Sequence, residues 1–287
     1  MSSRPISLDR VPRPKLEDYA RKYAEWFVIE RNEGVIELRM HANGGPTNFL
    51  SGGPWRDVWC QIWHEVGNDP LKMVAIISGT GNYWVEEHEP LVDMASITPA
   101  ERAFETQSRL MGHIEGMLFG LNMPTIGVLN GPGPALHQEI PLLCDISLAA
   151  NDAYLRDSHI ELGTAPGDGL GLALQALLGP KRAAYYLFTG DPIDAQMLHQ
   201  LGLVNEIHDR SVLMQRAREL ARSIASIPDV TRLMTTQIVR RPLRKRYVED
   251  MGFHLTHEQV GALAGEQKSL MITIERDREY MARMSER

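Results

Sequence analysis

At 287 residues and 43% hydrophobic content, the chain is long enough for one large domain with an appendage or for two small ones. A formal net charge of −7 argues against nucleic acid or an anionic membrane as the main partner. No run of about 18 apolar residues occurs, so no membrane span is expected.

The N-terminus lacks the apolar core of a secretion signal. Cys60 and Cys144 sit in apolar stretches without metal-ligand spacing and read as buried free thiols. The expectation is a soluble cytoplasmic globular protein.

Residues 1–18, with three prolines and scattered charges, read as a tail. Trp26–Arg31, a turn at Asn32-Glu33-Gly34 and Val35–His41 form a hairpin pattern, ended by Asn43-Gly44-Gly45-Pro46. A helix is predicted from Trp55 to Val66, with Val58, Ile62 and Val66 on one face. Met73–Ser78 has the unbroken apolar character of a fully buried strand. A long acidic loop, 82–99, leads to a helix from Glu101 to Leu121.

Thr125–Leu129 is a second buried strand. It opens onto the Gly/Pro-bent segment Asn130–Gly171, which holds a short helical turn, a third apolar run (Ile146–Ala150) and another loop. Helices follow at Gly169–Leu178, Lys181–Thr189 and Asp191–Leu201, the last opened by an acidic cap, and then a short strand at Gly202–Ile207. From Ser211 onward strand signals vanish and three or four helices remain. Strand and helix alternate up to residue 210, so the reading is an α/β core over 19–209, its sheet parallel, with a helical region over 210–287.

Chemistry concentrates between Asn130 and Gly171, where His137 and His159 lie among Glu139, Glu161 and Asp168. Loops whose backbone N–H groups are freed by Gly and Pro bends are where oxyanion sites are built. Each residue also has a plainer reading: His159 and His137 as loop histidines, Asp168 as an N-cap, Glu139 as a helix cap, Glu258 as one more surface acid. The basic run Arg240–Arg246 reads as a solvated face or a subunit contact. Gly167–Gly171 lacks the residues of a phosphate loop. Consecutive acids at Glu86–Glu89 make a poor metal site, so no metal is expected.

Several pieces occur in a familiar order: Ser78-Gly79-Thr80-Gly81, Asn130-Gly131, Cys144-Asp145-Ile146, Gly163-Thr164-Ala165-Pro166-Gly167, Thr189-Gly190, Ala195 and Gly202-Leu203-Val204. With these the chain, from about Trp26 to Ala225, resembles the crotonase (enoyl-CoA hydratase/isomerase) superfamily. The resemblance implies a spiral of ββα turns, a C-terminal helical region between subunits, and homotrimers or dimers of trimers. It also implies an oxyanion hole made by the backbone N–H groups of Glu86 and Leu136.

Acyl-CoA hydratases of that superfamily usually carry a glycine triplet at Ala135-Leu136-His137 and an acid at His159, while their first catalytic acid is kept here as Glu139. These departures resemble instead the β-diketone hydrolases of the 6-oxocamphor hydrolase type, which cleave carbon–carbon bonds without a cofactor. That likeness implies a small diketone as substrate and His137, His159, Asp168 and Glu258 as catalytic residues. It implies Phe49, Trp84 and Glu139 around the substrate. On this view His159, oriented by Asp168 nine positions downstream, takes a proton from water. His137 donates to a substrate oxygen, and Glu258 positions water or substrate. The alternative is an enoyl-CoA hydratase or isomerase working through Glu139.

Overall fold

Short apolar runs and the helices between them build a central sheet, seen in a computed structural model that describes residues 12–47, 55–71, 73–86, 99–133, 135–264, 268 and 271–285. Helix α1 (Leu16–Lys22) leads into the hairpin β1 (Phe27–Asn32) and β2 (Val35–Met40). Helix α2 (Trp55–Gly67) and β3 (Val74–Ser78) follow, then α3 (Pro99–Glu115), which runs on through a π-helical turn at Gly116–Gly120. Next come β4 (Thr125–Leu129), the short α4 (Glu139–Leu143) and β5 (Ile146–Ala150). The pair β6 (Tyr154–Leu155) and β7 (Ile193–Asp194) brackets α5 (His159–Leu162), α6 (Leu170–Leu178) and α7 (Pro180–Thr189). Helix α8 (Ala195–Gln200), β8 (Glu206–His208) and the helices α9 (Arg210–Ala225), α10 (Asp229–Leu263) and α11 (Met271–Ser285) complete the chain.

The sheet has the order β1-β2-β3-β4-β5-β8, antiparallel only between β1 and β2. Every residue of β3 and β4 is buried, as strands covered on both faces must be. Helix α9 lies along β2 to β5, while α2 packs on α3, and α10 on α3 and α6. The expected α/β fold with a parallel sheet and a C-terminal helical region is what the structure shows.

Helix α1 spans the join between the expected tail and core, and Tyr19 within it is wholly buried, its hydroxyl donating to Asp69 at 2.9 Å. Two local differences have physical causes. The helix expected from Asp191 begins at Ala195, because Asp194 caps it through the Met197 N–H while Ile193 and Asp194 pair with β6. The last strand starts at Glu206 because Leu203 and Val204 are buried in the preceding turn.

The basic run is not a solvated face throughout. Arg240 is 2% exposed and grips Asp145 with two bonds, Nε to Oδ1 at 2.7 Å and Nη2 to Oδ2 at 2.6 Å. It also donates to the carbonyls of Leu121 and Met123. Asp145 in turn accepts the Thr125 N–H that opens β4. This buried bidentate pair pins α10 to the sheet. Arg240→Met is expected to leave Asp145 charged and unpaired and to lower unfolding stability by about 3–5 kcal/mol; a urea midpoint equal to that of the unmodified protein would show the pair to be idle.

Candidate active site

Parallel strands end on one edge of the sheet, and the loops after β3 and β4 meet there. Asn130 fastens them: Oδ1 accepts the Gly79 N–H at 3.0 Å, and Nδ2 donates to the carbonyls of Gly81 and Tyr83 at 3.0 and 2.8 Å. The two loops touch backbone to backbone. A Cβ on Gly131 would lie 1.9 Å from the Asn82 oxygen and one on Gly133 2.1 Å from the Val85 oxygen, so neither position accepts a side chain. The Leu136 N–H belongs to this junction. Glu86 lies beside it, its N–H donating to the Thr47 carbonyl at 3.1 Å. Trp84, expected against substrate, is 0% exposed, and its indole donates to the Leu136 carbonyl at 3.1 Å. It supports the loop from beneath. Phe49 lies outside the described residues.

His159 sits between carboxylates. Nδ1 faces both oxygens of Asp157 at 3.2 Å, and Nε2 faces Asp168 Oδ2 at 3.5 Å. Asp157 also accepts the His159 backbone N–H at 2.9 Å, which fixes the ring from behind. Sequence reasoning passed over Asp157; two residues from a histidine it looks like any turn acid, and its burial is the property that distinguishes it. Asp168 is therefore at the ring's outer nitrogen. Burial alone would strip the imidazole of its proton, but Asp168, Asp157 and Glu258 outweigh it and hold its pKa well above 6.5. Burial raises the Asp168 carboxyl too, so a proton between Nε2 and Oδ2 belongs to the pair.

Glu258 comes from α10. A Cβ on Gly167 would lie 2.6 Å from Glu258 Cβ and 2.5 Å from the His254 carbonyl, so the bare glycine lets α10 close on the 163–169 loop. Burial, opposed by His159, pushes the Glu258 carboxyl up to about 7. Its Oε2 is buried with no hydrogen-bond partner among the described residues. Arg56, in the first turn of α2, is within electrostatic reach of Glu258, Asp168 and Glu139, and burial lowers its basicity. A single arginine at a helix start carries no signal in sequence.

A second imidazole group adjoins the first. His137, at φ 48°, places Nδ1 3.0 Å from Glu139 Oε1. The Trp63 indole donates to His113 Nδ1 at 3.0 Å, which puts the His113 proton on Nε2, facing Glu139 Oε1 at 3.5 Å. Burial lowers the His113 pKa. Burial would raise Glu139, but the two histidines hold it down at about 2. Glu161 belongs elsewhere, bonded to Arg156 at 2.9 Å and paired with Arg276. Among the described residues, His137, Glu139 and Asp168 offer ligand atoms that all lie within 4.8 Å of one another, a grouping that could hold a metal ion. A surface cavity of about 240 Å³ is lined by Arg156, Asp191, Arg276 and Tyr280 and by none of the residues around His159.

Residues 30–276 match the family model for enoyl-CoA hydratase/isomerase. A short-chain-enoyl-CoA hydratase of Clostridium acetobutylicum is 28% identical over 221 residues, covering 76% of this chain and 82% of the relative. Among solved structures, a β-diketone hydrolase of the cyanobacterium Anabaena, bound to (S)-3-oxocyclohexyl acetic acid, superposes with a TM-score of 0.78 at 29% identity. That likeness covers 90% of this chain and 100% of the other. An enoyl-CoA hydratase/isomerase of Mycobacterium paratuberculosis shares the fold at 20% identity and a TM-score of 0.71, over 83% of this chain and 94% of its own. With a family match spanning nearly the whole described fold, this chain belongs to the enoyl-CoA hydratase/isomerase family, the crotonase superfamily of enzymes.

Proposed function

We propose that the protein is a cofactor-free hydrolase that cleaves a carbon–carbon bond of a cyclic or bicyclic β-diketone by a retro-Claisen reaction. The observation that carries this reading is the setting of Glu139, whose buried Oε1 lies 3.0 Å from His137 Nδ1 and 3.5 Å from His113 Nε2. A carboxylate shared by two imidazoles, with its pKa held at about 2, is a weak proton acceptor, which disfavours hydratase chemistry through that acid. Proton transfer falls instead to His159 and Glu258, which lie within electrostatic reach of each other, the Glu258 carboxyl being pushed up to about 7. The β-diketone hydrolase likeness supports the same substrate class, and its bound cyclic oxo acid has the ketone-plus-carboxylate form that such a cleavage yields.

In the proposed reaction His159, held by Asp157 and paired with Asp168, removes a proton from water as the oxygen adds to one carbonyl carbon. The resulting oxyanion is held by the Leu136 N–H and by His137. The Glu86 N–H can join only when its bond to the Thr47 carbonyl opens. The carbon–carbon bond then breaks, its electron pair passes to the neighbouring carbonyl as an enolate, and the proton that His159 took from water passes through Glu258 to the α-carbon, which restores both side chains. The product is a single oxo acid that carries both the new carboxyl group and the remaining ketone, with water the only co-reactant. Arg56 is placed to attract the carboxylate product or an anionic substrate.

Exposed apolar side chains on α10, among them Val230, Ile238, Val248 and Phe253, with Phe188 on α7, support assembly into homotrimers or dimers of trimers.

A panel of cyclic 1,3-diketones and acyl-CoA thioesters, followed by ultraviolet absorbance, should show turnover of a diketone, unaffected by EDTA. His159→Ala and Asp168→Asn should each lower kcat by about 10²–10⁴-fold with the assembly intact; hydration of an enoyl-CoA that survives both variants would point to Glu139 instead. Because the His159 pKa is raised, the neutral base form grows in only as pH climbs through that raised value. The acid limb of kcat/KM should therefore lie above 6.5 and move down in Asp157→Asn. At pH 7, imidazole ¹⁵N spectra should report His159 doubly protonated and His113 neutral with its proton on Nε2; a neutral His159 at that pH would contradict the carboxylate sandwich. Light scattering should return a trimer or hexamer mass, and a monomer would refute the assembly.

A further inference from the structure

Asp277 stands on α11, near the C-terminus, and is 0% exposed. A buried carboxylate there needs donors on every side, and it has them. Oδ1 accepts the Tyr154 hydroxyl at 2.9 Å and Arg156 Nε at 2.6 Å, and Oδ2 accepts the Ala135 N–H at 2.9 Å. Arg156 continues the network to Glu161 at 2.9 Å and to the Thr273 carbonyl at 3.0 Å. Two residues further on, Ser158 Oγ donates to the Ala135 carbonyl at 3.3 Å.

These contacts converge on the two peptide units that meet at Ala135. The Ala135 carbonyl and the Leu136 N–H belong to the same planar amide, and in a trans peptide they point in opposite directions. Ser158 therefore aims the Leu136 N–H by holding the oxygen at the other end, while Asp277 holds the amide just before it. The segment carrying Ser158, Asp157 and His159 is fastened in turn through Arg156 to the same carboxylate.

We propose that Asp277 is a positioning residue for the active site: one carboxylate on the C-terminal helix sets the orientation of the Leu136 N–H and its distance from His159. Asp277 touches no reacting atom and acts through Ala135 and Arg156. The kinetic part of this inference rests on the diketone hydrolase reading; the structural part does not.

Asp277→Asn keeps the shape but leaves one acceptor oxygen where two are needed. Tyr154→Phe removes a donor from the same carboxylate without touching Ala135. In Asp277→Asn, hydrogen–deuterium exchange should rise in peptides covering 135–138 and 156–162 and stay unchanged in β3 and β4. Its kcat should fall by about 10- to 100-fold with KM within about threefold, whereas Tyr154→Phe should keep kcat within about threefold. If Asp277→Asn does not fold, Asp277→Glu, which keeps the charge beside Arg156 but displaces it, should show the same pattern. Unchanged exchange at 135–138, a rise spread over the whole sheet, or an equal loss of kcat in Tyr154→Phe would overturn the proposal. Should the unmodified protein turn over no diketone, the proposed function fails, and the exchange measurement still decides the role of Asp277.

Discussion

Taking an ionised group out of water costs on the order of several kcal/mol unless charge of the opposite sign meets it. Around His159 the chain supplies that charge from three directions. Asp157 comes from the turn just before it, Asp168 from the loop leading into α6, and Glu258 from α10. The imidazole keeps its proton because of these neighbours, and they can be neighbours only if loop, helix start and long helix converge within a few ångströms. A second site of the same kind lies alongside, with its balance reversed. Glu139 is the buried anion and two histidines surround it, one of them fixed by the Trp63 indole. Two environments push the titratable groups apart in proton affinity: the imidazole of His159 holds its proton, and the carboxyl of Glu139 gives its own up.

The scaffold that makes this convergence possible is mostly a matter of where helices are anchored. Arg240 and Glu258 lie on one helix, separated by about 27 Å at 1.5 Å per residue. The grip of Arg240 on Asp145, at the head of β5, thus fixes one end of a lever whose other end carries a carboxyl into the site. The bare Gly167 backbone lets that end close on the loop.

Much of this was legible in the sequence. Unbroken apolar runs located β3, β4 and β5 to within a residue, since full burial leaves no polar alternation to confuse them. The short pair β6 and β7 was not, because two-residue strands carry no periodicity. His137, His159, Asp168 and Glu258 were singled out, and the structure gathers them around one centre. What sequence could not supply was which carboxylate meets which nitrogen. The family resemblance made Asp168 the expected orienter, whereas folding gives Asp157 the Nδ1 side and turns Asp168 to Nε2. Glu161, two residues past His159, looked equally available and is claimed by Arg156 and Arg276. His113 and Arg56 lie on amphipathic helices, where one polar residue on an inward face is indistinguishable from an error in the pattern.

The Arg240 and Asp277 contacts bear on what kind of unit the chain is. Past residue 209 the sequence changes character, and a reader would divide it there. Yet a chain cut at that point would strand the Asp145 carboxylate, the carbonyls of Leu121 and Met123 and the amide of Ala135 in apolar surroundings, each having lost a partner that lies beyond the cut. Strands and trailing helices thus share buried charges across the change in composition, so the packing of each completes the hydrogen bonding of the other.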